Sequence, residues 1–431
     1  MRWLKSHYHW IIVAVVLLEM MVFGGVLSNL SGLFLVPVTQ SLGISRTAFA
    51  AANAVRGAGA MLSSLVAMSA IKRFGYRISV SACLAICALG MTAMAITNEV
   101  LGLYVGFLTA GICESFCLTV GATQLITRWF HRYRGTILGL VSSATGFGGS
   151  LFTILLSQIM LQSDWRWGYG ACGISLMVIS ILLLIVIRDR PETLGLAPLG
   201  IGYTASKKKK VPDHYWCGYS MDKIRRMSYF YILIIAIFLS SLCASLGIPI
   251  VIPHLQEKGI DPTQAVGAYS VMFLVFSCAK FLCGFISDRL GPRWPNGICV
   301  IACGAGAGLL LCVSGTGHAY AAAIVYAIGL PITSITISVL VPDLFGYHSS
   351  GMILGPCYAV VAVAYIVGTF CSNWIYDLTG SYRMVLLLII AFAVASMALY
   401  LLVYKMADRA RRTYLEHETA ERQVSALQGQ T

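Results

Sequence analysis

Charge is scarce in this chain, and acidic charge is scarcest. Only 11% of its 431 residues are Asp, Glu, Lys or Arg, and 17 acidic residues stand against 30 basic ones, for a formal net charge of +13. With 58% of its residues hydrophobic, a soluble fold would lack the polar surface needed to cover itself. The sequence has no Cys-x-x-Cys and no His-x-x-x-His, and of its 14 cysteines only Cys217 lies outside an apolar run. Neither a zinc site nor a disulfide framework is therefore expected. Cys83/Cys87, Cys113/Cys117 and Cys299/Cys303 are spaced to share helix faces as small packing residues. With no nucleophile-base pair and no nucleotide motif, the residues point away from an enzyme and call for no cofactor and no metal.

What is present is a succession of long apolar runs, which predicts an all-α membrane protein. Twelve transmembrane helices are expected at about 10–36, 47–71, 78–97, 100–126, 136–161, 166–187, 229–253, 265–286, 297–314, 319–341, 351–375 and 383–404. Each is long enough for a hydrocarbon core of roughly 30 Å. The first run follows Arg2 and Lys5 like a signal peptide, but it is too long and lacks a small-residue cleavage site, so it reads as an uncleaved span.

Basic residues set the expected orientation. With both termini in the cytoplasm, only Arg46, Arg166, Lys258 and Arg383 face outside, while Arg56 and Lys280 lie within spans. The expected location is the cell inner (plasma) membrane. The positive charge then serves contact with anionic membrane lipids, and no nucleic-acid partner is needed. Lys207 to Lys210 fall in a polar break between two groups of six spans; the run reads as a solvated tether near headgroups or as a lipid-binding or regulatory segment.

Two landmarks recur at a constant offset of 216 residues. Lys72-Arg73-Phe74-Gly75 matches Asp288-Arg289-Leu290-Gly291, and a Gly-x-Ile-Leu-Gly segment occurs at Gly135 and again at Gly351. The spacing predicts two parallel six-helix pseudo-repeats with a ligand site between them. The expected organisation is an N-terminal half over 1–190, a cytoplasmic linker over 191–228, a C-terminal half over 229–405 and a cytoplasmic tail over 406–431.

The stretch Gly284-Phe285-Ile286-Ser287-Asp288-Arg289-Leu290-Gly291-Pro292-Arg293 resembles the Gly-x-x-x-Asp-Arg-x-Gly-x-Arg loop signature of the major facilitator superfamily. The first-half copy is degenerate, with Met68 for the glycine and Lys72 for the aspartate, followed by Arg73, Gly75 and Arg77. Two further segments, Arg128-Trp129-Phe130 leading to Arg134-Gly135, and Arg188-Asp189-Arg190-Pro191-Glu192 leading to Gly195-Leu196, are similar to the monocarboxylate-porter and oxalate/formate-antiporter branch. The resemblance implies the major facilitator fold, secondary transport by symport or antiport, and a gating loop built from Gly284, Asp288, Arg289, Gly291 and Arg293, with Lys72, Arg73 and Gly75 in the first half. It also implies that Lys280, four residues before Gly284, stands where that branch places a substrate-binding cation. The chain departs from the branch in carrying Phe276 where its monocarboxylate porters have an aspartate, Glu19 where they have a lysine, and no charge from Met352 to Trp374.

Four ionisable residues lie inside the spans: Glu19, Arg56, Glu114 and Lys280. Charges at such depth face a cavity or a partner, since each costs at least about 2.5–3.5 kcal/mol in hydrocarbon. Glu19 and Arg56 are expected at similar depth, and one reading pairs them as a structural ion pair. If Glu19 and Glu114 both associate with Arg56, Lys280 needs a carboxylate-bearing ligand, water or a neutral amine. The working expectation is a small organic anion, monocarboxylate-like, bound by Lys280 and Arg56, with Tyr358 and Tyr365 against its apolar body or packed in the core. Glu19 or Glu114 is the candidate carrier of a coupled proton. Pro249, Pro331 and Pro356 are expected to interrupt cavity-side helices. Two other readings stand beside this one: an efflux pump for hydrophobic or cationic compounds, with the glutamates binding cation and proton, and a non-transporting membrane receptor of the same fold.

Overall fold

The structure is a computed structural model that describes residues 2–130, 134–189, 221–346 and 350–428. The Lys207 to Lys210 run and Cys217 lie outside the described residues, as does most of the expected linker. The side chains of Lys72 and Asp288 are likewise outside the description, although both residues sit in helices.

Among the described residues the regular structure is helical. The first half contains α1 (Arg2–Asn29), α2 (Leu35–Leu42), α3 (Arg46–Ile96), α4 (Val100–Glu114), α5 (Ala122–Trp129), α6 (Arg134–Gln162) and α7 (Trp165–Val186). A short α8 (Met221–Ile224) precedes the second half, which contains α9 (Ser228–Gly247), α10 (Val251–Glu257), α11 (Pro262–Leu290), α12 (Arg293–Leu311), α13 (Thr316–Gly329), α14 (Ile335–Phe345), α15 (Ser350–Thr379) and α16 (Arg383–Gln428). Ten helical segments among the described residues are long and apolar enough to cross a membrane. The other two expected spans fall on the first part of α3 and on α13 with α14.

Local chemistry sets where these helices begin and break. Ser45 accepts from the Ala48 amide at 3.0 Å at the start of α3, and Asp261 accepts from the Thr263 amide at 3.0 Å at the start of α11, just before Pro262. Pro249 and Pro331 lie in short 3-10 turns, Ile248–Ile250 and Leu330–Thr333, between pairs of helices, whereas Pro356 stays inside α15. In α3 the chain bends at Gly75, with φ of 86°, and Gly291 after α11 has φ of 90°. Both are left-handed values that favour glycine. They occupy equivalent points of the two repeats.

Packing follows the repeats. In the first half α3 packs on α4 and α7, and α1 on α6; in the second α9 packs on α15 and α16, and α12 on α13. The halves meet along two seams, α6 against α11 and α3 against α15. A Cβ on Gly146 would fall 2.7 Å from the Ser277 Cβ, and one on Gly149 would fall 2.8 Å from the Phe273 ring, so the first seam depends on bare backbone.

Candidate functional site

Lys280 is on α11 and turns into the α6 seam. Its Nζ donates to Thr145 Oγ1 of the opposite half at 3.1 Å and lies 4.2 Å from the centroid of the Phe276 ring. Among the described residues no carboxylate comes within 4.0 Å of that amine. Phe276 therefore offers this amine a ring face and no counter-charge.

The other charges sort differently. Arg56 Nη1 pairs with Glu114 Oε2 at 2.6 Å, joining α3 to the end of α4. Glu19 is fully buried and does not pair with Arg56; its Oε2 accepts from the Tyr76 hydroxyl at 2.5 Å, and its Oε1 has no hydrogen-bond partner among the described residues. The reading that joined Glu19 to Arg56 is thus not the arrangement found. Equal depth gave no information on which way each side chain turns.

Tyr365 lies within electrostatic reach of both Arg56 and Glu114 from across the second seam. Tyr358 is 40% exposed and donates to the Ser334 carbonyl at 3.1 Å.

Among the described side chains of the expected gating loops and the residues beside them, the contacts stay within each half. Arg293 makes a two-pronged contact with Asp408 at 2.7 and 2.8 Å and reaches Asp343 at 3.3 Å, which locks the start of α12 to α16 and α14. In the first repeat the equivalent Arg77 gives its backbone N–H to Asp189 at 2.9 Å, and the same carboxylate lies where a Cβ on Gly75 would stand, at 2.2 Å. Arg73 lies 5.3 Å from the Phe74 ring and Arg289 lies 4.3 Å from the Phe285 ring, each on its own helix. Toward this end of the seam, Gly139 of α6 and Gly284 of α11 border open space: a Cβ at either would have nothing within 4 Å.

At the opposite end the halves are fastened together. The Arg46 guanidinium reaches the Tyr382 hydroxyl, and Asp377 Oδ2 accepts from the Thr47 amide at 2.9 Å and from its hydroxyl at 2.5 Å. Sequence reasoning treated Arg46 only as a topology marker and missed Thr47, Asp377 and Tyr382. It also missed Thr145 and Tyr76, which are ordinary residues until the helices around them are assembled.

Two helical repeats, a partly buried lysine on the seam between them, and fastening at one end fit a membrane carrier. The Major Facilitator Superfamily model matches residues 10–355, and the chain belongs to that family, whose members are transporters and not enzymes. Monocarboxylate transporter 12 of Rattus norvegicus is 24% identical over 339 residues, covering 72% of this chain and 67% of the relative. An MFS-type transporter of Gibberella moniliformis is 20% identical over 273 residues, covering 60% of each chain, so this chain spans less than two thirds of that relative's length. Among solved structures, a D323A mutant of the nucleoside transporter NupG shares the fold with a TM-score of 0.71 at 14% identity, covering 93% of this chain and 100% of that one.

Proposed function

We propose that this transporter moves a small, monocarboxylate-like organic anion by alternating access, with the substrate carboxylate pairing with Lys280. One observation carries the reading: an ammonium on the seam between the halves meets a hydroxyl and a ring face, and no carboxylate among the described residues. A carboxylate arriving there supplies the missing counter-charge, and it does so where Thr145 of one half and Lys280 of the other are already in contact. The rat relative's name points to the same substrate class. Fastening at the Arg46 end and open space beside Gly139 and Gly284 support the reading of a state open toward the cytoplasm, given the orientation that the basic residues favour.

The experiment is carboxylate uptake in proteoliposomes holding the full chain. Lys280→Gln is expected to abolish uptake and Lys280→Arg to keep part of it. Undiminished uptake by Lys280→Gln overturns the assignment.

A second reading, efflux of hydrophobic or cationic compounds, draws on Glu19, a buried carboxyl with no cation beside it among the described residues. Substrate sign separates the two. Protection of cells from cationic dyes, lost in Glu19→Gln and kept in Lys280→Gln, favours the pump.

A further inference from the structure

We infer that Arg56 and Glu114 form a second anion station, offset from Lys280 along the transport path, in which the Glu114 carboxylate occupies the place a substrate carboxylate takes in transit. The inference rests on the anion reading of Lys280 and extends it from one binding point to two.

Register fixes the offset. Arg46 and Pro262, the first residues of α3 and α11, are themselves 216 residues apart and open equivalent helices at the same end of the bundle. Arg56 corresponds to Met272 of α11, and Lys280 corresponds to Ser64 of α3. Eight residues therefore separate the two cations in depth, about 12 Å along a helix axis. That is too far for one monocarboxylate to touch both. Arg56 is the station nearer the fastened end, and Lys280 is the station nearer the open end.

Position on the second seam makes Arg56 accessible to cargo. A Cβ on the adjacent Gly57 would fall 2.5 Å from Ile366 of α15, and Tyr365 of α15 lies within electrostatic reach of the pair. Separation of the halves along this seam uncovers the pair directly.

The pair is also incompletely made. A guanidinium offers a planar fork that a carboxylate fills best through two parallel N–H bonds. Here the contact is a single one, Nη1 to Oε2, and Arg56 Nε is buried with no hydrogen-bond partner among the described residues. An incoming carboxylate free to orient itself can take both prongs. Glu114 has a route out of the way, since it is the last residue of α4 and the chain continues as a π-helical segment, Ser115–Gly121, a geometry that often accompanies functional shifts within helices. While the carrier is empty, Glu114 keeps Arg56 neutralised. When substrate arrives, the two carboxylates compete, which prevents an over-tight complex on a path the anion must leave.

The test measures binding of acetate, pyruvate, benzoate and succinate to the purified full chain by thermal shift at fixed sodium concentration, with exchange in proteoliposomes alongside. Glu114→Gln is expected to bind a stabilising member of this panel about tenfold more tightly than the wild type while exchanging it more slowly. The gain should vanish in Arg56→Gln/Glu114→Gln. Equal midpoints, or a gain that survives loss of Arg56, overturn the second station. Binding that requires Lys280 but ignores Glu114 overturns this inference alone; a panel silent on every variant overturns it together with the anion reading. Should Glu114→Gln not fold, Glu114→Ala prepared in sodium acetate replaces it. Recovery of folded protein above that in sodium chloride supports the station, and equal recovery overturns it.

Discussion

The Arg46 guanidinium carbon stands 3.7 Å from the centroid of the Tyr376 ring, a contact between the start of α3 in one half and the end of α15 in the other. Tyr382 flanks the same guanidinium at 5.4 Å, and Asp377 caps Thr47 next to it. The halves are held here by side chains that, on the alternating-access reading, must separate for the carrier to reorient. A cation-π contact contributes about 0.5–2 kcal/mol, so Arg46→Gln should shift the balance toward opening at this end by a factor of roughly 2–30. Amide exchange of residues 46–50 should quicken accordingly, in Asp377→Asn as well. Unchanged protection in both variants would mean that the fastening lies elsewhere.

Thr145 is expected to tune Lys280 without binding substrate through charge. Thr145→Val keeps the shape and removes the acceptor that holds Nζ at 3.1 Å. A loss of about 1 kcal/mol corresponds to roughly a fivefold fall in carboxylate kcat/KM, and Thr145→Ser should restore most of it. If valine and serine behave alike, the hydroxyl has no part in placing the amine.

Glu19 and Tyr76 make a linked pair of predictions about coupling. In vesicles, a pH gradient acid on the outside is expected to stimulate wild-type uptake, and Glu19→Gln should lose that stimulation while keeping anion exchange at equal pH. Tyr76→Phe removes the hydroxyl that donates to Glu19 at 2.5 Å and should weaken the stimulation in part. Persistent stimulation in Glu19→Gln would transfer the role to another group.

Stability should respond sharply at one glycine of α6 and hardly at another. A Cβ on Gly148 would stand 1.8 Å from the Met21 carbonyl oxygen, a backbone atom that cannot turn aside, whereas Gly139 on the same helix has nothing within 4 Å. Gly148→Ala is expected to cost about 1–3 kcal/mol. Gly139→Ala should be neutral or stabilising by up to about 1 kcal/mol. Melting of the purified protein in detergent checks both, and equal losses would contradict the close approach of α1 and α6.

Much of the architecture was legible in the sequence because membrane crossing imposes length and apolarity on each helix separately. The expected span over 136–161 became Arg134–Gln162 and that over 166–187 became Trp165–Val186, and the offset repeats located the turns at Gly75 and Gly291. The pairing of charges was less legible. Counting residues along a helix gives depth but not direction, so Arg56 had both Glu19 and Glu114 in prospect, and only the packing of α3 on α4 selected Glu114. Tyr76 carried no mark of its role, since it becomes a donor to Glu19 only after Gly75 bends α3. The depth difference between Arg56 and Lys280 did have a signal. It lies in the same 216-residue offset that revealed the repeats, applied to the two cations instead of the loops.

Helix α6 is thin on two sides, with Gly148 against the backbone of α1 and Gly146 and Gly149 against α11. Interlocked side chains must be lifted out of one another before two helices can move apart, and each such step adds to a barrier. Bare backbone at the three glycines leaves fewer such teeth, and the polar contacts of Ser143, Thr145 and Ser150 with α11 are what must break. On the alternating-access reading the seam beside Lys280 would slide with few obstacles as the carrier turns over, and bulk added there should slow the cycle even where the folded state tolerates it.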